Sequence, residues 1–131
     1  RATISTSPPA VSPASRTYLD MKYDADTPLG LQWAGLVPVR DAYDWEPTSY
    51  LAGVGEAQVI GVEAPLWAET LRTLKEIEFM VLPRLPGIAE IGWSPRDGRN
   101  WEEYRIRLAA QAPRWDAEDV TYYRSPQVNW P

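Results

Sequence analysis

The stretch "VIGVEAPLWAET", residues 59–70, opens as a buried strand with Val59, Ile60 and Val62, then closes on an indole and a carboxylate two residues apart. Successive side chains of a strand point to opposite faces, so Trp67 and Glu69 share one face. The even positions Val62, Ala64 and Leu66 make an apolar face. The odd positions Gly61, Glu63, Pro65, Trp67 and Glu69 make a mixed polar one. A strand covered by helices on one side and facing a filled interior on the other reads this way, with its functional residues at the C-terminal end. The stretch "RTYLDMKYD", residues 16–24, repeats the device, with Tyr18 and Asp20 flanking Leu19.

Working outward, the early part of residues 1–13 reads as loop or frayed end, because it is rich in Ser, Thr and Pro. A short strand is expected over 14–20, with Thr17 and Leu19 on one face and Arg16, Tyr18 and Asp20 on the other. Residues 24–56 hold Pro28, Gly30, Gly35, Pro38, Pro47, Gly53 and Gly55, which leaves room only for a helical turn near 39–45. A loop of that length inside a compact domain is usually functional. Three helical pieces follow the strand at 58–69. "TLKE" (73–76) is a capping box that opens the first, whose apolar residues are Ile77, Met80 and Val81. Pro83 and Pro86 interrupt that helix and start an offset second one. "NWEE" (100–103) caps the third, with a core stripe of Trp101, Tyr104, Leu108 and Trp115. The tail from Tyr122 reads as extended and packed back on the domain.

The order strand, long loop, strand, helices is that of a parallel α/β arrangement. Two parallel strands cannot form a sheet buried on both faces, and a complete (β/α)8 barrel takes about 250 residues. The 131 residues are therefore expected to be one segment, the C-terminal portion of a TIM barrel, with the last two strands and the helices after them. Arg1 is not a natural initiator, so more chain is expected upstream.

Composition narrows the chemistry. Seven Trp and seven Tyr stand against a single Phe, which suggests rings that must be apolar on the face and polar at the edge. A sugar asks for that combination, with C–H bonds on one face and hydroxyls around the rim. A net charge of −5 argues against nucleic acid, and no apolar run reaches the roughly 18 residues of a membrane span. Without cysteine or histidine the chain has no disulfide, no thiolate or imidazole metal site and no histidine base, and no cofactor is expected.

Four motifs in order, "SPASRTYLDMKYD", "GLQWAG", "GVEAPLWAETL" and "MVLPRLPGIAEIGWSP", closely resemble the C-terminal part of glycoside hydrolase family 20, the β-N-acetylhexosaminidases. Their wording is most similar to secreted actinobacterial members. The resemblance spans about residues 11–131. It implies that the seventh barrel strand lies near 10–20 and the eighth at 58–69. It also implies a retaining, substrate-assisted mechanism, which sets this family apart from the usual pair of carboxylates. The substrate's 2-acetamido oxygen attacks the anomeric carbon, a glutamic acid protonates the leaving oxygen, and an aspartate orients the acetamido group. On the matching positions, Tyr18 would donate to the acetamido oxygen. Asp20 and Trp33 would bind the 6-hydroxyl region, Trp67 would lie under the sugar ring, and Glu69 would accept from the 4-hydroxyl. The family's His–x–Gly–Gly–Asp–Glu motif, which carries the catalytic pair, has no match here. The first-strand arginine and the tryptophans that complete the acetamido pocket are missing too. The implied partners are N-acetylhexosamine-containing oligosaccharides and the remainder of the barrel, and the implied location is extracellular.

Other roles for these residues are more ordinary. Glu63 is expected to pair with an arginine inside the barrel and Glu90 to serve a structural role. Tyr23, Trp45 and Trp93 are assigned to packing. As a whole, the chain has two rival readings. A non-catalytic carbohydrate-binding module with a tryptophan platform would show many alternating strands. A proline-rich interaction segment would show little core.

Overall fold

A computed structural model of the protein describes residues 9–131. Its elements, in chain order, are β1 (Ala10–Val11), α1 (Ala14–Thr17), α2 (Val39–Tyr43), α3 (Pro47–Tyr50), β2 (Gly61–Val62), α4 (Leu74–Val81), α5 (Arg84–Trp93), α6 (Trp101–Ala109) and α7 (Ala112–Ala117), with single turns of tighter helix at Glu56–Gln58 and Arg96–Gly98. The two strands are parallel, with Ala10 opposite Gly61 and Val11 opposite Val62. The ladder runs on at both ends through Ile60 N–H to the Pro9 carbonyl and Glu63 N–H to the Val11 carbonyl, both at 3.2 Å. A parallel pair followed by helices is the α/β class expected, and the helix-rich chain is unlike the many-stranded module. No helix among the described residues is long and apolar enough to cross a membrane.

The early residues expected to be loop fall mostly outside the described part; the strand expected over 14–20 is absent there, the first strand being Ala10–Val11, and the one expected over 58–69 is reduced to Gly61–Val62. Residues 14–17 are a helical turn, because the Pro13 carbonyl accepts from both Arg16 and Thr17 N–H at 2.9 Å and from the Thr17 hydroxyl at 3.2 Å. The next residues, Tyr18 to Met21, form a turn closed by Met21 N–H onto the Tyr18 carbonyl at 3.3 Å. Beyond Glu63 the second strand loses its ladder as well, since Pro65 has no N–H to donate. Its carbonyl still accepts from Leu19 N–H at 2.9 Å, so the two segments stay side by side past the end of the sheet.

The helices follow their sequence signals. Thr73 caps α4 through its hydroxyl, and Glu76 closes the box on the Thr73 N–H at 3.0 Å. Asn100 caps α6 by accepting from Glu103 N–H at 3.1 Å. The stripe Trp101, Tyr104, Leu108 and Trp115 is buried, although Trp115 belongs to α7 rather than to a continuous α6. These rings join Tyr23, Tyr43, Met80, Tyr122 and Val128 in the main core, so the tail does return to the domain. A second cluster of Leu19, Met21, Val37, Ala42 and Ile88 lies under the ends of the strands, with Val62, Ala64 and Leu66 packed on it. The expected apolar face is therefore real, even where the strand is not.

Of the five ordinary assignments, three hold and two do not. Tyr23 and Trp45 are buried and Glu90 binds Tyr43 and Arg107, as expected of packing and structural groups. Trp93 is 90 % exposed and packs little within this chain. Glu63 is exposed, and none of the ion pairs among the described residues includes it. Both residues lie beside the free edge of β2, where the packing and pairing groups envisaged for them would have to come from outside the described residues.

Leu108 is buried in the main core while Ile106, two residues away on α6, faces solvent. Leu108→Ala is expected to lower the unfolding free energy by about 2–5 kcal/mol, and Ile106→Ala by at most about 0.5 kcal/mol. Urea denaturation of the two variants checks the difference.

Candidate sugar-binding site

The site begins with the turn at Tyr18–Met21. Leu19 points into the second cluster, while Tyr18, packed against its edge, and Asp20 face the hollow. Tyr18 is half-buried, with its ring 5.9 Å from Trp33 in an edge-on arrangement and 6.4 Å from Trp67 at a tilt of 51°. Trp33 comes from the loop that leaves after Lys22 and returns at Val37, a loop tied down by Lys22 N–H to the Leu31 carbonyl (2.7 Å) and Val37 N–H to the Lys22 carbonyl (2.9 Å). Trp67 and Glu69 arrive from the extension of β2. The five side chains Tyr18, Asp20, Trp33, Trp67 and Glu69 line one hollow of about 320 Å³. All five positions singled out from the sequence therefore meet.

Their exposures divide the labour. Trp67 is 54 % and Trp33 67 % exposed, so both indoles offer open apolar surface at the mouth. Asp20 is only 1 % exposed and lies at the base. Its Oδ1 is buried and has no hydrogen-bond partner. Burial pushes the Asp20 carboxyl above the ordinary aspartate range, the nearby Glu69 carboxylate adds to the rise, and the backbone N–H groups of Asp20 and Trp67 oppose it. A buried acceptor without a donor is costly, and a hydroxyl brought into the hollow would satisfy it. Two open indole faces above two carboxylates can stack on the C–H face of a ring and accept from hydroxyls at its rim. Among the described residues no group of three acidic, His or Cys side chains could hold a metal ion.

A larger hollow of about 540 Å³ runs along β2 and α5, lined by Ile60, Val62, Ile91, Trp93, Arg96 and Arg99 among others. It follows the unpaired edge of β2, and its lining mixes the apolar residues with the charged Glu46, Glu56 and Asp97.

Arg84 was not anticipated. It is 1 % exposed, and its guanidinium donates to the carbonyls of Leu19 and Met21, on either side of Asp20. The sequence did carry a signal, since Arg84 is the lone charge between Val81 and Ala89 in an otherwise apolar run.

The sequence profile of the glycosyl hydrolase family 20 catalytic domain matches residues 6–96. A β-N-acetylhexosaminidase of Cellulomonas fimi is 52 % identical over 121 residues, which cover 92 % of this chain and 24 % of that protein. Among solved structures, the GH20 β-N-acetylhexosaminidase of Streptomyces coelicolor A3(2) superposes with a TM-score of 0.91 at 59 % identity, over 93 % of this chain and 25 % of the other. A mutant Streptomyces plicatus β-hexosaminidase in complex with its product GlcNAc gives a TM-score of 0.90 at 56 % identity, again over 93 % and 25 %. The chain thus spans about a quarter of the length of these relatives. With that match over most of its length, the chain belongs to glycosyl hydrolase family 20.

Proposed function

We propose that this chain is the C-terminal segment of the barrel of a β-N-acetylhexosaminidase, supplying sugar-binding residues to an enzyme that removes terminal non-reducing N-acetylhexosamine. The observation that carries the reading is the convergence of Tyr18, Asp20, Trp33, Trp67 and Glu69 on one hexose-sized hollow. The product GlcNAc in the Streptomyces plicatus relative supports the same class of ligand. In the reaction implied by family resemblance, the sugar ring lies on Trp67 and its 4-hydroxyl donates to Glu69. The 6-hydroxyl region meets Asp20 and the indole N–H of Trp33. Tyr18 donates its phenol O–H to the acetamido oxygen and holds that nucleophile in line with the anomeric carbon. The glutamic acid and the orienting aspartate come from the rest of the barrel, which would also cover the free edge of β2 and the exposed Trp93. A secreted enzyme acting on chitin-derived or glycoconjugate chains fits the resemblance.

The 131 residues by themselves are expected to be inactive on nitrophenyl N-acetylglucosaminide, and measurable turnover by them would contradict the division of roles. In the full-length protein, Glu69→Gln keeps an accepting oxygen but removes its charge, and a hydrogen bond to a charged group is worth about 1.5–3 kcal/mol. A fall of roughly 10–200-fold in kcat/KM is expected, and steady-state assays with the same substrate check it.

Asp20 gives a prediction in pH. Its folded-state pKa is raised, so the folded protein holds that proton more tightly than the unfolded chain does. Its contribution to stability is present below the unfolded value of about 3.9 and is lost as pH rises through the folded value. Asp20→Asn is therefore expected to be more stable than wild type at pH 7, with the gain vanishing in acid, and yet less active. Thermal unfolding across pH, alongside activity, measures both; a variant that is less stable at neutral pH would show that the carboxylate is satisfied after all.

A further inference from the structure

Arg84 holds the site's backbone from beneath. Its Nη2 donates to the Leu19 carbonyl at 2.6 Å and the Met80 carbonyl at 2.8 Å. Its Nη1 donates to the Met21 carbonyl at 2.7 Å and, at 3.2 Å, to the Val37 carbonyl, where the loop bearing Trp33 returns. The Tyr23 ring lies 3.9 Å from the guanidinium carbon. A rigid planar fork can reach four carbonyls in three separate segments at once, whereas an ammonium is a point with three donors and cannot span them.

The same backbone is gripped from another direction. Gly30, at φ +92°, passes so close that a Cβ there would stand 2.7 Å from the Asp20 carbonyl oxygen and 2.6 Å from Met80 Cε. That approach lets Leu31 N–H reach the Asp20 carbonyl at 2.8 Å. The peptide of Asp20 is therefore fixed through Leu19, Met21 and its own carbonyl, while its side-chain Oδ1 is left without a partner.

We infer that Arg84 is a positioning residue of the sugar site: by clamping the carbonyls on both sides of Asp20 and the return of the Trp33 loop, it fixes where the Asp20 carboxylate meets substrate. The inference rests on reading the hollow as the sugar site, and it goes further in assigning one substrate contact to a residue that never touches substrate. If Arg84 served only the fold, replacing it would depress turnover of every substrate alike. If it positions Asp20, the loss falls on the hydroxyl that Asp20 binds and spares the contacts of Trp67 and Glu69.

The test compares nitrophenyl N-acetylglucosaminide with its 6-deoxy analogue in the full-length protein, using Arg84→Lys, Gly30→Ala and, as reference, Asp20→Asn. For all three variants kcat/KM on the parent sugar is expected to fall about tenfold or more. On the 6-deoxy sugar the change should stay within about twofold. Gly30→Ala disturbs the clamp while keeping the buried charge, so it carries the comparison if Arg84→Lys does not accumulate as folded protein. Equal losses on both sugars, or none, overturn the positioning role. So does an Asp20→Asn variant that loses equally on both, because Asp20 would then not read the 6-hydroxyl. Wild-type protein that is inactive on both sugars would instead refute the hexosaminidase reading itself.

Discussion

A single buried cation organises the end of the sheet. Desolvating a guanidinium costs several kcal/mol, and the cost is offset only where its donors are satisfied in good geometry. Arg84 meets that condition with four carbonyl acceptors and the face of Tyr23, although its Nε is left unpartnered. None of the four acceptors belongs to a strand. They lie in loops and at the end of α4, and beyond the single bridge of Met21 to Leu31 no strand pairing holds the loop segments. A protein with two-residue strands still presents a defined site because one side chain supplies, in the turn region, the donors that a longer sheet would have supplied.

Above that clamp the site separates two kinds of surface. The Trp33 and Trp67 indoles stay open to solvent, where their faces retain the apolar area that a sugar ring can cover. Asp20 is sunk below them, raised in pKa and lacking a partner at Oδ1. Both features are unfavourable in the empty protein, since exposed indoles forgo burial and a desolvated carboxylate forgoes water. A hexose lying in the hollow would remove both penalties together. Strain kept at a site and released on binding is the expected form of the stability–function trade-off. The rest of the chain shows the opposite habit: Glu90 is bound by Tyr43 and Arg107, Asp24 accepts from Tyr123, and Glu46 pairs with Arg99.

Much of this was legible in the residues, though not always for the stated reason. Trp67 and Glu69 were read as same-face neighbours on a strand, and they do share a hollow. Tyr18 and Asp20 share it through a turn instead, because Pro13 starts a helical turn that a hydrophobic pattern cannot foresee. The α4 and α6 caps were readable because Thr73 and Asn100 act locally, within three residues. Arg84 was not readable as a clamp, because its acceptors lie 47 to 65 positions away, apart from Met80, and are main-chain atoms that leave no sequence trace. Trp93 shows the same limit from the other side, since packing partners outside the described residues cannot be weighed from its own neighbours.

Whether the Tyr18–Met21 turn and the extension of β2 together grip one N-acetylhexosamine is tested most directly by a crystal structure of the full-length protein with GlcNAc bound. The expected result is a sugar ring lying flat on Trp67, with hydroxyl oxygens about 2.5–3.0 Å from both the Glu69 and Asp20 carboxylates. A sugar bound elsewhere, or one that meets Trp67 edge-on with Asp20 Oδ1 still unpartnered, would contradict the account.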